Sequence, residues 1–67
     1  MLILKLKDLI DEEVRVNANM IVFYKRAKNI PNGTDIYLSG TDIIAVKESP
    51  EEVDLRLSEA FVFMSRR

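Results

Sequence analysis

The sequence predicts a small α+β fold made mainly of strands, with a bent antiparallel sheet or SH3-like half-barrel of about five strands and a C-terminal helix. Apolar residues recur with the period of a strand over about residues 2–47 and with the period of a helix over about residues 50–64. Turn-forming Asn and Gly residues separate the strand segments. At 67 residues, 48% apolar and 31% charged, the chain 1–67 fits a single small domain.

The first two strands are predicted from alternation and from an acidic interruption. Leu2, Leu4 and Leu6 alternate with Ile3, Lys5 and Lys7, a pattern with one buried face. The acidic segment 8–13 breaks this alternation and predicts a turn. The segment 14–16, Val-Arg-Val, then predicts a short second strand, and the Asn residues of 17–19 predict the turn that ends it.

The third strand is predicted over 20–25, where β-branched and aromatic residues cluster. Its apolar residues fall on both faces, which favours a central place in the sheet. The polar connection 26–33 ends in Asn32-Gly33, a pair that supplies the positive φ of a hairpin turn. Strands are expected over 34–38 and 43–47, joined by a tight turn at 39–42.

The helix start carries a complete set of signals. Ser49 stands at the N-cap, Pro50 at the first helical position, and Glu52 at the capping-box position. Apolar residues at helical spacing form one stripe on this helix. Together with the strand residues that alternate inward, they give the predicted core: Leu4, Leu6, Val14, Val16, Ile21, Phe23, Ile36, Leu38, Ile44, Val46, Val53, Leu57 and Phe61.

The last helical turns are apolar almost all round, because Leu55, Val62 and Phe63 lie off the stripe. One interpretation is fraying, or conversion of 61–64 to a strand. The favoured interpretation is a second contact surface that docks on another copy or a partner. The partner-binding residues predicted on this basis are Leu55, Phe61, Val62, Phe63 and Met64.

The composition argues against catalysis. The absence of Cys and His excludes disulfides, thiol chemistry and imidazole acid–base catalysis, and leaves only an all-oxygen site for a metal. The acidic segment 8–13 lacks the ligand spacing of a calcium loop, so we expect a solvated turn. No serine has a residue to activate it. We therefore expect no enzyme, no cofactor and no metal.

Size favours association. A chain this short buries only about 60% of the surface that its unfolded form exposes, and small domains without disulfides gain stability by oligomerising. The expected partners are a second copy and another protein.

The longest apolar run, residues 60–64, is far shorter than the roughly 20 residues needed to cross a bilayer, so we expect a cytoplasmic protein.

One basic group is a candidate ligand site. Tyr24, Lys25, Arg26 and Lys28 could hold an anion or single-stranded nucleic acid, with the Tyr24 ring stacking on a base, as in an Sm-like ring or another small barrel. The chain as a whole is acidic, with a net charge of −1 and a pI near 5.3, unlike most nucleic-acid-binding domains. A solvated hairpin end explains the same residues.

The segment Val-Lys-Glu-Ser-Pro-Glu-Glu-Val at 46–53, with the hairpin before it, resembles the small flagellar and swarming-motility proteins of the FlbD/SwrD family. The resemblance covers about residues 2–55. The matching positions are Asn17, Ile21, Thr34, Ile36, Leu38, Val46, Lys47, Glu48, Ser49, Glu52 and Val53. It implies a non-enzymatic accessory protein that acts by contact with other proteins and has no catalytic residues.

From the sequence we therefore predict a non-enzymatic protein–protein interaction module. We expect it to be homo-oligomeric and to act as a small adaptor or regulator in a bacterial or phage setting. The alternative is an oligomeric small-barrel module that binds nucleotide or single-stranded nucleic acid at the edge formed by residues 24–28.

Overall fold

The computed structural model of the chain describes the backbone of residues 2–65 and the side chains of residues 2–60. The described residues form five strands, a 3₁₀ turn (Ala18–Met20) and one helix. Their bounds are β1 (Ile3–Lys7), β2 (Glu13–Asn17), β3 (Ile21–Arg26), β4 (Thr34–Leu38), β5 (Ile43–Val46) and α1 (Pro50–Ser65). The predicted α+β class, rich in strands, is confirmed. The described strands form two open antiparallel sheets, β1–β2 and β3–β4–β5, and do not close into a barrel.

The β1–β2 hairpin follows the predicted alternation. Leu4 pairs with Val16 and Leu6 with Val14, and these side chains face the core, while Lys5 lies on the outer face. The Asp8 side chain holds the connecting turn by accepting hydrogen bonds from two backbone N–H groups, those of Ile10 and Glu12, at 3.0 and 2.9 Å. The predicted polar turn is therefore an ordered one, organised by a single aspartate.

A β-bulge in β3 changes which of its residues face inward. Ile21 pairs with Leu38 and Phe23 with Tyr37, so Val22 is an extra residue without a partner on β4. A bulge shifts the alternation by one position. As a result Ile21 and Tyr24 face the core and Phe23 faces outward. The prediction of Phe23 as a core residue is wrong for this reason.

The predicted central position of the third strand is also wrong. The order of the larger sheet is β3–β4–β5, which places β3 at an edge and β4 in the centre. The apolar residues on both faces of β3 have a different cause. One set packs on the core, and the other lies on the outer face of the sheet.

The core lies between the two sheets and α1. Its buried residues include six of those predicted: Leu4, Leu6, Val16, Ile36, Val46 and Val53. Five more pack against them while remaining partly exposed: Val14, Ile21, Leu38, Ile44 and Leu57. Leu2, which continues the predicted buried face of the first strand, is also buried. Ala27 and Thr34 are buried although the sequence pattern does not select them. The predicted core residue Phe61 lies outside the described side chains.

The two sheets are joined along one side, where β1 meets the end of β5. The Lys47 N–H donates to the Lys7 carbonyl at 2.8 Å, and the Lys7 N–H donates to the Glu48 carboxylate at 3.0 Å. Arg56 on α1 donates to the Lys5 carbonyl. The outer edge of β1 is therefore covered by the strand–helix junction and by the helix.

The start of α1 matches the prediction. The Glu52 N–H donates to the Ser49 hydroxyl at 3.1 Å, and Pro50 is the first helical residue. The Glu52 carboxylate accepts a hydrogen bond from Arg56, one turn further along, at 3.0 Å. The helix extends through Ser65, so the strand interpretation of 61–64 is wrong.

The Asn32-Gly33 turn differs in detail from the prediction. Asn32 has the positive φ, 61°, and Gly33 does not. A Cβ at Gly33 would lie 2.9 Å from the Val46 carbonyl oxygen and 2.9 Å from the Ile30 side chain. Glycine is needed there because the backbone passes too close to β5 for any side chain.

Candidate functional site

The outer face of the larger sheet carries a group of side chains that we call the aromatic face: the exposed Val22, Phe23 and Ile43 and the half-buried Tyr37. Phe23, Tyr37 and Ile43 lie opposite one another across the three strands, and Val22 is the bulge residue beside them. Val22 is 65% exposed, Phe23 49% and Ile43 56%. An exposed apolar patch of this kind on a small domain is typical of an interaction site.

The aromatic face has a defined geometry. The Phe23 and Tyr37 rings stack with their centroids 4.2 Å apart and their planes 14° from parallel. The Lys25 Nζ lies 5.5 Å from the centroid of the Tyr37 ring, which gives a cation–π contact. Next to the rings is a shallow depression of about 170 Å³, which the turn residues Gly40, Thr41 and Asp42 also line. These contacts order the aromatic side chains before any partner binds.

A second apolar opening lies between β2 and the end of the β4–β5 hairpin, and we call it the seam. It has a volume of about 340 Å³. Its apolar lining consists of Val14, Val16, Met20, Leu38 and Ile44. The seam exists because the sheets are joined where β1 meets β5 but not where β2 faces the β4–β5 hairpin.

The seam and the depression beside the aromatic face adjoin each other. Leu38 and Asp42 line both of them, since they lie where β4 turns back into β5. The exposed apolar surface therefore runs from the outer face of the larger sheet, around the hairpin end, to the edge of the core.

The four predicted anion-binding residues do not form one site. The Tyr24 hydroxyl donates to the Asp54 carboxylate, and Arg26 donates to both oxygens of the Glu51 carboxylate at 2.8 and 2.9 Å. Both residues thus bind side chains of α1. Lys25 lies on the opposite face of the sheet, over Tyr37. Lys28 is exposed in the loop that follows β3.

The Tyr24–Asp54 hydrogen bond has a consequence for titration. This bond and partial burial raise the pKa of the Tyr24 phenol from about 10 to about 12. The neutral phenol donates the bond, while the phenolate would face the Asp54 carboxylate with the same charge. The ring that the sequence suggests for base stacking is therefore held between sheet and helix.

We expect a pH-dependent stability that depends on Tyr24. Because its folded pKa lies above its unfolded pKa, its contribution is fully present below about pH 10 and is lost as the pH rises toward 12. Tyr24→Phe should lower the free energy of unfolding at pH 8 and remove this part of the alkaline loss. Urea unfolding of both proteins at pH 8 to 11.5 measures it, and Tyr37→Phe is the control. Equal alkaline slopes for wild type and Tyr24→Phe would contradict the assignment.

The predicted contact surface on the helix is only partly described. Leu55 is half exposed and turned away from the core. The other predicted partner-binding residues, Phe61, Val62, Phe63 and Met64, lie outside the described side chains. Within the described part of the chain, α1 lacks the length and continuous apolar character that crossing a bilayer requires.

Two of the acidic side chains that pair with cations, Asp11 and Glu51, have lowered pKa values. Asp11, in the β1–β2 turn, pairs with Lys47 at 3.2 Å, and the Lys47 ammonium lowers the pKa of that carboxyl. The Glu51 carboxyl also has a lowered pKa, from its own backbone N–H at the helix start and from Arg26. Among residues 2–60, no group of three acidic side chains converges in a way that would hold a metal ion.

Residues that carry the family resemblance have structural roles at the junction of strand and helix. The buried Thr34 hydroxyl donates to the Glu48 carbonyl at 2.7 Å, Ser49 caps α1, and Val53 is fully buried. The Glu48 carboxylate binds the backbone of Lys7. These four residues hold α1 against the sheets and leave the aromatic face free.

Sequence reasoning missed the aromatic face. It assigned Phe23 to the core and gave no role to Val22, Tyr37 or Ile43. The available signal was the run 20–25, which is apolar on both faces. That signal predicts either a central strand or an edge strand with an exposed apolar face, and the structure has the second arrangement.

No protein-family model, curated protein or solved structure matches this chain. The surface chemistry of the chain is therefore the basis on which a function is proposed.

Proposed function

We propose that the chain is a non-enzymatic protein–protein interaction module that works as a homo-oligomer and presents the aromatic face to a partner protein. Its scaffold is an open, SH3-like half-barrel closed on one side by α1. The expected role is that of a small adaptor or regulator in a bacterial or phage cytoplasm. The helix surface at Leu55 and 61–64 is a second contact region in this proposal.

The observation that supports this proposal most directly is the exposure of Val22 and Ile43 beside the ordered Phe23–Tyr37 pair, in which Phe23 is also exposed. Aromatic side chains with few rotatable bonds supply contact area at low entropic cost, and they are enriched at protein interfaces. Burial of apolar surface is worth roughly 25 cal/mol per Å². A partner that covers the aromatic face would therefore gain binding free energy with little reordering of this chain.

Charge and ring geometry favour a protein partner over nucleic acid. The Tyr37 ring has Phe23 stacked on it and Lys25 over it, so it has little free face for a base. Lys25 lies opposite Asp35 on β4, which offsets its charge. Single-stranded nucleic acid requires open ring faces beside a positive groove.

The test is a selection of binders from a random-peptide display library against the purified chain. We expect selected peptides to bind the wild type and to lose about 10-fold or more in affinity for the Val22→Asp/Ile43→Asp double variant, because two charges would enter the apolar contact. Leu9→Asp is the matched control, since it places the same charge at an exposed apolar residue of the β1–β2 turn, and Leu55→Asp separately tests the second contact region on the helix.

Fluorescence anisotropy of labelled peptides gives the affinities, and circular dichroism checks that each variant folds. Failure to select binders, or peptides that bind the double variant as tightly as the wild type, would contradict the assignment to the aromatic face. Peptides that lose affinity for Leu55→Asp alone would place the contact on the helix.

A second candidate function, single-stranded nucleic acid binding, is favoured by one observation. Phe23, Tyr37 and Lys25 lie together on an open sheet face, and sheet-borne aromatic residues are used in this way by RNA-binding modules. A labelled single-stranded RNA titrated with the chain measures it. Binding that weakens with salt and is lost in Lys25→Glu would favour this candidate over the protein partner.

A further inference from the structure

The outer edge of β2 is an open strand edge. The Ala18 N–H donates to the Leu2 carbonyl, so residues 2 and 18 form a hydrogen-bonded pair of the antiparallel ladder. Such pairs alternate along a ladder. Val14 and Val16 therefore direct their backbone N–H and C=O groups toward β1, and those of Glu13, Arg15 and Asn17 point away from it.

The outer edge of β1, in contrast to that of β2, is covered. Lys7 and Lys5 direct their backbone groups away from β2, and these groups bind the Lys47 N–H, the Glu48 carboxylate and the Arg56 guanidinium. Among the described residues, the ladder β1–β2 has no further strand beside β2. An open edge next to an apolar opening is the arrangement that accepts an added strand.

The side chains on β2 make it complementary to itself. Antiparallel pairing of two β2 strands about a twofold axis at Val14 places Glu13 of each copy opposite Arg15 of the other. In this register the outward backbone groups of Glu13 and Arg15 form the hydrogen-bonded pairs. A register centred on Arg15 would instead place two arginines opposite each other, and like charges at that position are destabilising.

The ion pair between Glu13 and Arg15 within one chain does not oppose the pairing of two β2 strands. Within one chain the Arg15 Nε lies 3.0 Å from the Glu13 Oε2, and the two side chains are 67% and 51% exposed. An exposed pair of this kind adds about 0–1 kcal/mol. Exchanging the two intrachain pairs of two copies for two cross-strand pairs therefore costs little, and the pairing adds backbone hydrogen bonds.

We propose that a second copy of this chain pairs with β2 through the Val14-centred register, giving a continuous four-stranded sheet in the order β1–β2–β2–β1. The pairing brings Val14 of the second copy against Val14 and extends apolar cover toward the seam. This inference rests on the proposed homo-oligomeric function and names the contact that forms the oligomer.

The test uses two charge reversals, Glu13→Arg and Arg15→Glu. We expect the wild type to have twice the 7.7 kDa chain mass in light scattering, and each single variant to dimerise at least 10-fold more weakly. An equimolar mixture of the two should form a heterodimer, because every cross-strand pair then joins opposite charges. The double variant Glu13→Arg/Arg15→Glu should again form a homodimer. Glu59→Arg, at an exposed helix position, is the control and should dimerise like the wild type.

A second measurement covers variants that fail to fold. In the wild type, hydrogen exchange at the Glu13 and Arg15 amides should slow as the protein concentration rises, while the Val22 amide in the bulge should show no such dependence. A monomeric wild type, or single variants that dimerise normally, would overturn the proposal. The peptide selection reports on the aromatic face separately. A monomer that still binds peptides there would refute this contact and the homo-oligomeric state, and would leave the proposed binding of a partner protein standing.

Discussion

Ile36→Ala is expected to lower the free energy of unfolding by about 2–5 kcal/mol, whereas Ile43→Ala should change it by less than about 1 kcal/mol. The two isoleucines lie on neighbouring strands of the same sheet, but Ile36 is fully buried and Ile43 is 56% exposed. Truncation at Ile36 leaves a cavity between the two sheets and α1. At Ile43 it only removes surface that already contacts water.

The loss expected for Ile36→Ala is large relative to the total free energy of unfolding. A chain of this size has roughly 3–10 kcal/mol of stability at 0.05–0.15 kcal/mol per residue. Ile36→Ala should therefore remove a large share of the stability and lower the urea midpoint clearly. Urea unfolding followed by circular dichroism measures both variants, at one protein concentration because association shifts the midpoint. Similar midpoints for the two variants would show that the β4 residues do not face the core as described.

Thr34→Val is expected to destabilise the chain by about 1–3 kcal/mol although valine has nearly the same shape. Thr34 is fully buried, and its hydroxyl donates to the Glu48 carbonyl at 2.7 Å, just before α1 begins. The substitution removes this donor and leaves the carbonyl without its side-chain hydrogen bond. The helix then loses one of its attachments to β4.

The matched control is Thr41→Val, in the exposed turn between β4 and β5. It also replaces a threonine hydroxyl with a methyl group, but at a position where water can hydrogen-bond to any polar group that loses its partner. Thermal unfolding of the two variants gives the comparison, and hydrogen exchange in the first turn of α1 reports the local effect. A Thr34→Val protein as stable as Thr41→Val would mean that the Thr34 hydroxyl contributes no net stability.

Local features of the fold were predictable because they depend on neighbouring residues. The Ser49 cap, the helix after Pro50 and the strands around Leu4 and Ile36 follow from capping chemistry and apolar period over a few residues. These signals act within one or two turns or strands, so a single sequence contains them.

The candidate site was harder to predict because its position depends on one inserted residue. Without the bulge at Val22, strict alternation would turn Phe23 toward the core together with Ile21. With it, Phe23 faces outward and stacks on Tyr37 from a different strand. Nothing local in the sequence marks Val22 as unpaired, since a bulge is defined by the register of two strands.

The basic group was hard to predict for the same physical reason. Tyr24, Lys25 and Arg26 are consecutive in sequence and look like a single patch. In the fold Tyr24 and Arg26 bind α1, while Lys25 lies on the opposite face. Consecutive residues of a strand point to opposite faces, and the partners that engage them come from residues 51 and 54, far along the chain.

The sequence by itself determined the class of fold, the extent of the strands and the start of the helix, because short-range periodicity and capping encode them. Only the tertiary structure decided which apolar residues are exposed, which edge of the hairpin is open and which charges are already paired. Those properties depend on how strands from distant parts of the chain align, and a shift of one residue in that alignment exchanges the buried and exposed faces.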